Sequence, residues 1–207
     1  MIQSQAPVRL DARQVKAASE LLGRAFMKDP MWEYLAPGLA RRARVLPPSF
    51  GITVRYSLRH GEVYTTPALD GVACWLTPGA TSPSLSQLIR LSIHGAPLEL
   101  GLMGLLRYTA VENYTGEIHK RTLPGRHWYL WVIGVEPARQ GQGIGAMLIQ
   151  PVLARADAGS LPCYLETMNE ANVPFYQKHG FKVVSDGEVP RHKLRVWAML
   201  REPHSQV

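Results

Sequence analysis

A glycine-rich segment in the second half of the chain has the composition of a phosphate-binding loop. Residues 140–146 read Gln-Gly-Gln-Gly-Ile-Gly-Ala, and they connect an apolar run at 128–135 to apolar residues at helical spacing. A glycine-rich loop that enters a helix points several free backbone N–H groups at one spot, where the helix dipole adds positive potential. Glycines let a pyrophosphate approach the backbone, and Arg139 and Gln140 can supply charge or donors at the rim. The sequence predicts a phosphate site here; a plain loop packed on a sheet is the alternative.

The elements that must position this loop alternate between strand and helix, which predicts an α+β fold with a central mixed sheet flanked by helices. Predicted strands cover residues 8–10, 62–66, 72–76, 128–135, 163–167, 181–184 and 194–201. Predicted helices cover residues 11–28, 39–58, 84–118, 143–158 and 171–179. At 207 residues the chain has the length of one domain, and we expect residues 1–207 to form it.

Several local signals refine these elements. Asp11 is placed to cap the first helix, Pro47 and Pro48 are expected to interrupt the second, and Asp70-Gly71 is expected to form a hairpin turn. The run 128–135 is apolar at every position, so both of its faces should be buried and its strand should be central. A central strand is a stiff platform for the loop that follows it.

Two motifs in this order resemble the GNAT superfamily of N-acetyltransferases. That family has a hydrophobic strand, Val-x-Pro, and then Arg or Gln before x-x-Gly-x-Gly or Ala. The matching positions here are Val135, Pro137, Gln140, Gly143 and Gly145. The second mark is a helix ending in Tyr-x-x-x-Gly-Phe after the next strand, which appears here as Tyr176, Gly180 and Phe181. Asn172 and Tyr176 share one helical face because they are four residues apart.

The resemblance extends to the puromycin N-acetyltransferase-like branch. Residues 74–78, 172–176 and 196–199 read Cys-Trp-Leu-Thr-Pro, Asn-Val-Pro-Phe-Tyr and Val-Trp-Ala-Met, as in that group. Similarity is thin between residues 84 and 123, where acceptor contacts are expected. The resemblance therefore carries no antibiotic specificity.

The resemblance implies a sheet of about six to seven strands whose central pair splays apart around acetyl-CoA. The backbone of the first splayed strand is expected to bind the pantetheine arm, the glycine loop the pyrophosphate, and Asn172 the cofactor arm. The implied cofactor-binding residues are Ile133, Gly134, Val135, Gln140, Gly141, Gln142, Gly143, Ile144, Gly145, Ala146, Asn172 and Tyr176. For Asn172, capping of the helix near Pro174 is the alternative.

By the same resemblance the amine of the acceptor attacks the thioester carbonyl directly. Tyr176 is the candidate proton donor to the leaving sulfur, with simple packing on the sheet as its alternative. An alkylamine has a pKa near ~10 and is mostly protonated at neutral pH, so a base must take its proton. Glu166 is the first candidate for that base, and Glu112 and His127 are further candidates. An acyl-cysteine route through Cys163 has no His/Asp partner that the sequence can place.

Composition excludes several other classes of protein. The 23 Lys and Arg residues exceed the 16 Asp and Glu, giving a net charge of +7 that favours solubility or an anionic cofactor. No long basic run or nucleic-acid motif is present, so no nucleic-acid partner is expected. Two cysteines and no HxH or HExxH spacing argue against disulfides and against a metal site. No apolar run approaches the ~20 residues of a membrane span, and we expect a cytoplasmic protein.

The predicted activity is acetyl transfer to a primary amine of a small molecule, by an enzyme that the resemblance also allows to be a homodimer. Three other functions stay open: a protein N-acetyltransferase, a non-catalytic acyl-CoA-binding sensor, and a dinucleotide-binding oxidoreductase. The last is disfavoured, because five residues separate strand from glycines and no second βαβαβ half follows.

Overall fold

A mixed β-sheet of seven strands organises the part of the chain that the computed structural model describes, residues 6–81 and 96–204. In chain order the strands are β1 Val8–Arg9, β2 Gly61–Thr65, β3 Gly71–Leu76, β4 Trp128–Val135, β5 Cys163–Thr167, β6 Lys182–Val189 and β7 Leu194–Arg201. Their order across the sheet is β1-β2-β3-β4-β5-β7-β6. All neighbours are antiparallel except β4 and β5, which run parallel. The predicted α+β class is confirmed.

Helices cover both faces of this sheet. They are α1 Val15–Ala25, α2 Pro30–Leu35, α3 Leu39–His60, α4 Ala96–Thr122, α5 Ile144–Ala158 and α6 Val173–Lys178. Strand alternation sends Ala73 and Trp75 of β3 into the core shared with α5, and Val72 and Cys74 into the core shared with α1 and α3. All four side chains are fully buried, because β3 carries a helical layer on each face.

The N-terminal helix begins where the sequence predicts. Asp11 accepts a hydrogen bond from the Arg13 amide at 2.8 Å, and its own amide donates to the Gln14 side chain at 3.0 Å. This reciprocal cap opens a short 3-10 turn, Ala12–Gln14, that continues into α1. The chain leaves α1 after Ala25 and enters α2, a helix that the sequence did not predict.

The expected interruption at Pro47 and Pro48 is wrong. Helix α3 runs through both prolines over its 22 residues. A proline inside a helix costs about 3 kcal/mol or more, and burial of Val45, Leu46 and Phe50 against α1 offsets that cost. Contact with α1 is close, since a Cβ added to Gly23 would lie 3.1 Å from Cγ of Pro47. Tertiary packing here overrides the local signal.

The expectation that both faces of β4 are buried is also wrong for part of the strand. Positions 129, 131, 132, 133 and 135 are only half-buried. The reason is the pairing with β5, which consists of two residue pairs, Trp128 with Cys163 and Tyr129 with Tyr164. Beyond these pairs the two strands separate, so the predicted splay is confirmed and one edge of β4 is left open.

Smaller differences concern the ends of elements. The hairpin turn lies at residues 66–70, where Leu69 has a φ of 58°, so the Asp70-Gly71 pair is not its centre. The sixth strand extends to Val189, five residues beyond its predicted end. The predicted helix 84–118 begins outside the described residues, and its described part, α4, reaches Thr122 with a non-helical residue at Gly101. Among the described helices none is long and apolar enough to cross a membrane.

Replacing Leu148 by Ala should test the layer that holds α5 on the sheet. The Leu148 side chain is fully buried and contacts β3 so closely that a Cβ on Gly71 would lie 2.9 Å from it. We expect the free energy of unfolding to fall by about 3 kcal/mol in urea denaturation, because the substitution leaves a cavity. Leu102→Ala, at a side chain that is 76% exposed, should change it by less than about 0.5 kcal/mol. Equal losses in the two variants would contradict this assignment of the core.

Candidate functional site

A cleft of about 820 Å³ lies where β4 and β5 separate. Its walls are the second half of β4, the glycine-rich loop with the start of α5, the region around α6, and the connection from α1 to α2. It is lined by Ala25, Phe26, Lys28, Asp29, Ile133, Gly134, Val135, Pro137, Arg139, Gln140, Gly141, Gly143, Ile144, Gly145, Ala146, Asn169, Asn172, Phe175, Tyr176, Lys178 and His179. Three segments distant in sequence, 25–29, 133–146 and 169–179, thus share one cavity.

The glycine-rich loop forms one end of the cleft. Gly141 and Gly143 have φ angles of 75° and 81°, in the left-handed region that side chains other than glycine rarely adopt. Gly143 occupies the N-cap position of α5, so the first amides of that helix have no capping side chain. Free amides at a helix N-terminus attract anions. Of the predicted loop residues, Gln142 does not line the cleft, and its side-chain Nε2 lies 3.5 Å from the Ala138 carbonyl oxygen.

The open edge of β4 forms the floor of the cleft. Trp75 of β3 pairs with Leu130 and Cys74 pairs with Val132, so Trp131 is the extra residue of a β-bulge. The bulge follows closely on Tyr129, the last residue of β4 that pairs with β5. The residues after the bulge, Ile133 to Val135, line the cleft. In the described part of the chain no strand pairs with this edge of β4 beyond Tyr129, and the Gln140 side chain donates a hydrogen bond to the Val135 carbonyl at 3.2 Å. An open strand edge is the arrangement by which an extended ligand can add to a sheet.

Tyr176 and Asn172 face this cleft from the region of α6, as their spacing predicts. The Tyr176 ring packs edge-on against Phe175 at 5.1 Å and against Phe181 at 6.0 Å. Its hydroxyl has no hydrogen bond to any described residue, and burial, with the charge of Asp29 nearby, raises its pKa so that it stays protonated. The Asn172 side chain does not cap α6, so the capping alternative for it is not supported.

Glu166 lies on the other face of β5. Its neighbour Leu165 packs in the core under α5, so the alternation of the strand directs Glu166 towards α4. Its carboxylate accepts a hydrogen bond from the Tyr129 hydroxyl at 2.7 Å, and its side chain is 5% exposed. Burial, together with the charge of Glu112 on α4, raises the pKa of Glu166 to about 7, although the Tyr129 and Tyr164 hydroxyls lower it. Glu166 does not line the cleft.

His127, another candidate base, lies at the margin of the same cluster. Its Nε2 is 2.7 Å from Nε2 of His119, which in turn has Nδ1 at 3.9 Å from a Glu166 oxygen. Cys163 points into the opposite core, where burial raises its pKa to about 12. A thiol with that pKa is almost entirely protonated at neutral pH, which argues against an acyl-cysteine route.

Asp29 is the main residue of the cleft that sequence reasoning missed. It caps α2 by accepting hydrogen bonds from the amides of Met31 at 3.0 Å and Trp32 at 3.4 Å. Burial raises its pKa to about 6. The Asp-Pro pair after α1 is a helix-start signal that could have placed this cap, but nothing local shows that it faces Tyr176. The other missed lining residues carry no sequence signal.

Comparison with known proteins identifies the class. Residues 87–181 match the model of the acetyltransferase (GNAT) family. An uncharacterized N-acetyltransferase of Schizosaccharomyces pombe is 26% identical over 206 residues, which cover 96% of this chain and 83% of that protein. These matches indicate that the chain is an acyltransferase, with residues 87–181 similar to the acetyltransferase (GNAT) family.

Solved structures share its fold. A histone acetyltransferase HPA2 and related acetyltransferase from Corynebacterium glutamicum has a TM-score of 0.67 at 18% identity, with 99% of both chains covered. Arylalkylamine N-acetyltransferase 2 from Aedes aegypti has a TM-score of 0.59 at 14% identity, with 96% of this chain and 98% of that chain covered. The mixed sheet excludes the doubly wound fold of a dinucleotide-binding oxidoreductase. The likeness to the puromycin branch stays a prediction.

Replacing Glu166 by Gln should change how stability depends on pH. Because the folded-state pKa of Glu166, about 7, exceeds its ordinary value of 4.5, the folded state binds the extra proton. The free energy of unfolding of the wild type therefore falls as the pH rises from 4.5 to about 7, and Glu166→Gln removes that loss. Between pH 5 and pH 8 the variant should gain about 2 kcal/mol on the wild type in urea denaturation. The control variant Glu117→Gln, at an exposed position of α4, should show no such gain. If the stability of Glu166→Gln and of the wild type depends on pH in the same way, the pKa of the buried Glu166 carboxyl is not raised.

Proposed function

We propose that this enzyme transfers an acetyl group directly from acetyl-CoA to the primary amine of a small molecule. The observation that carries the proposal is the end of the β4–β5 pairing after two residue pairs. The resulting gap joins the glycine-rich loop to Tyr176 within one cleft, and it leaves Glu166 on the far face of β5. An anion site, an open strand edge, an acid and a base are the parts that such a transfer requires.

The residues of the cleft fit coenzyme A. Amides at the start of α5 would bind the pyrophosphate, with Arg139 and Lys178 as cations in the lining. The open edge at Ile133 and Val135 would bind the amides of the pantetheine arm as a neighbouring strand does. When bound, acetyl-CoA supplies the activated acyl group.

Tyr176 and Glu166 would act from opposite faces of the sheet. Tyr176 packs in the core under α5, and Glu166 belongs to the cluster under α4. The protonated phenol of Tyr176 would donate a hydrogen bond to the departing sulfur. Glu166 would receive the proton of the amine through a bridging water, since its carboxylate does not reach the cleft. A pKa near neutrality suits a general base at the pH of the cell.

The buried position of Glu166 favours a slender acceptor. A narrow alkylamine in the cleft can come closer to this buried carboxyl than a folded protein surface can. The resemblance in fold to the Aedes aegypti arylalkylamine enzyme is compatible with such an acceptor. A protein acceptor is the second candidate, because the Corynebacterium glutamicum protein of similar fold is named a histone acetyltransferase HPA2 and related acetyltransferase. A thiol-release screen over alkylamines, arylalkylamines and short peptides would separate the two.

The cofactor assignment predicts that Gly143→Ala weakens binding of acetyl-CoA. A side chain at a φ of 81° costs about 1–2 kcal/mol, and relief of that strain would turn the loop amides away. We expect the dissociation constant measured by calorimetry to rise about tenfold. Gly79→Ala is the matched control, because Gly79 also has a positive φ, 102°, and open space around it, but lies outside the cleft. No binding of acetyl-CoA to the wild type would refute the proposed function itself.

The acid assignment predicts that Tyr176→Phe lowers turnover by about 100-fold and leaves acetyl-CoA binding nearly unchanged. The phenyl ring keeps the packing against Phe175 and Phe181, so only the hydroxyl is lost. Steady-state kinetics with the best amine from the screen, together with calorimetry, measures both. Tyr114→Phe, on α4 and outside the cleft, should have wild-type turnover. Wild-type turnover in Tyr176→Phe would remove the role of Tyr176 as the acid.

The expectations of a cytoplasmic location, of a homodimer and of a single domain over residues 1–207 stay predictions. Gel filtration and limited proteolysis test the last two.

A further inference from the structure

A chain of hydrogen-bonding groups runs from an exposed turn to the buried carboxyl of Glu166. The carbonyl of Gly125 lies 2.6 Å from Nδ1 of His127, and Nε2 of His127 lies 2.7 Å from Nε2 of His119. Nδ1 of His119 then faces Glu166 at 3.9 Å. The His119 ring is held in place by stacking on Tyr164, with ring centres 4.2 Å apart. Both histidines are buried.

The proton positions in this chain follow from its first member. A carbonyl oxygen only accepts, so Nδ1 of His127 must carry a proton and donate it to Gly125. Burial lowers the pKa of both histidines, that of His119 to about 4, so each ring is neutral and has one N–H. Nε2 of His127 is then an acceptor, and Nε2 of His119 must donate to it. Nδ1 of His119 is left unprotonated, with its lone pair towards Glu166.

This arrangement is the reverse of the usual carboxylate–histidine pair. In the usual pair the ring N–H donates to the carboxylate and favours its charged form. A bare ring nitrogen can only accept, and at 3.9 Å it is too far from the Glu166 oxygen for a hydrogen bond. It instead turns the negative end of the ring dipole towards the carboxyl, which disfavours the charged form. Around Glu166 the Tyr129 hydroxyl favours the charged form, whereas Glu112 favours the protonated form. Tyr164, which lies on β5 beside His119, also favours the charged form and lowers the pKa of Glu166.

We propose that His119 and His127 are positioning residues for the reaction: fixed by the Gly125 carbonyl, they present a bare ring nitrogen to Glu166 and so strengthen its affinity for a proton. A carboxylate left in water is too weak a base to take a proton from an amine effectively. The histidine pair makes this carboxylate a stronger base without contacting either substrate. The inference rests on the proposed role of Glu166 as the base.

The variant His127→Phe tests the positioning role of the histidines, because it keeps an aromatic ring and removes the nitrogen that accepts a hydrogen bond from His119. His119 can then adopt the other tautomer and donate Nδ1–H to Glu166. We expect the rising limb of kcat against pH to move about one unit lower, a tenfold change in proton affinity, with a lower plateau. His127→Gln, which keeps an acceptor towards His119, should restore a near wild-type limb. His60→Phe, at a histidine that packs on Tyr56 elsewhere, should leave the limb unchanged.

Nitrogen NMR of the histidine rings provides a readout that does not require activity. In the wild type at pH 7, His119 should be protonated on Nε2 and not on Nδ1, and in His127→Phe the proton should shift to Nδ1. A wild-type His119 with its proton on Nδ1, or a folded His127→Phe with an unmoved limb, would overturn the inference. The variant Glu166→Gln separates the two proposals. If its plot of kcat against pH keeps the rising limb of the wild type, Glu166 is not the base. The tautomers of the two rings, measured by NMR, then still test the proposed arrangement of the histidines.

Discussion

Separation of two parallel strands is the constraint on which the rest of the site depends. β4 and β5 pair only through Trp128 and Tyr129 of β4. Beyond these pairs, β5 pairs only with β7, which lies on its other edge. A central strand with an unpaired edge is costly unless something replaces the missing hydrogen bonds. The bulge at Trp131 lies at the same point and re-aims the strand. The cleft is therefore a consequence of how the sheet is built, and the cofactor proposed for it is an extended molecule with amides of its own.

The surrounding layers keep this gap open. On one side α5 is held by a dense core that includes Leu148, Ile149 and Val152, all fully buried. On the other side α1 packs so closely on β4 that a Cβ on Gly134 would lie 2.8 Å from Leu22. Because protein interiors are close-packed and resist deformation, neither layer can collapse into the gap. The glycine loop and Tyr176 are thereby held at fixed positions around it.

Burial decides the chemistry of the acidic groups near the gap. Asp29 and Glu166 lie on different elements, and neither is paired with a lysine or an arginine among the described residues. Each carboxyl consequently has a raised pKa, whereas Asp157, paired with Arg201, has a lowered one. A carboxyl group is thus held in its charged form in one place and is easily protonated in another.

The sequence by itself determined the local features of the site. The glycine loop, the cap at Asp11 and the seven strands depend on residues within a few positions of each other, and the structure has them, whereas α2 was not predicted. Asn172 and Tyr176 both line the cleft, with Asn172 in the short 3-10 turn before α6. Such features follow from backbone freedom, capping and periodicity, which are readable along the chain.

Only the tertiary structure decided what those features face. The hydrogen bond of Glu166 spans 37 positions to Tyr129, Asp29 enters a cleft that Tyr176 lines from the far end of the chain, and α3 stays helical through its prolines. The half-buried positions of β4 and the bare nitrogen of His119 likewise depend on partners remote in sequence. Burial and hydrogen bonding between distant segments appear only when the chain has folded, because no periodicity in the sequence encodes them.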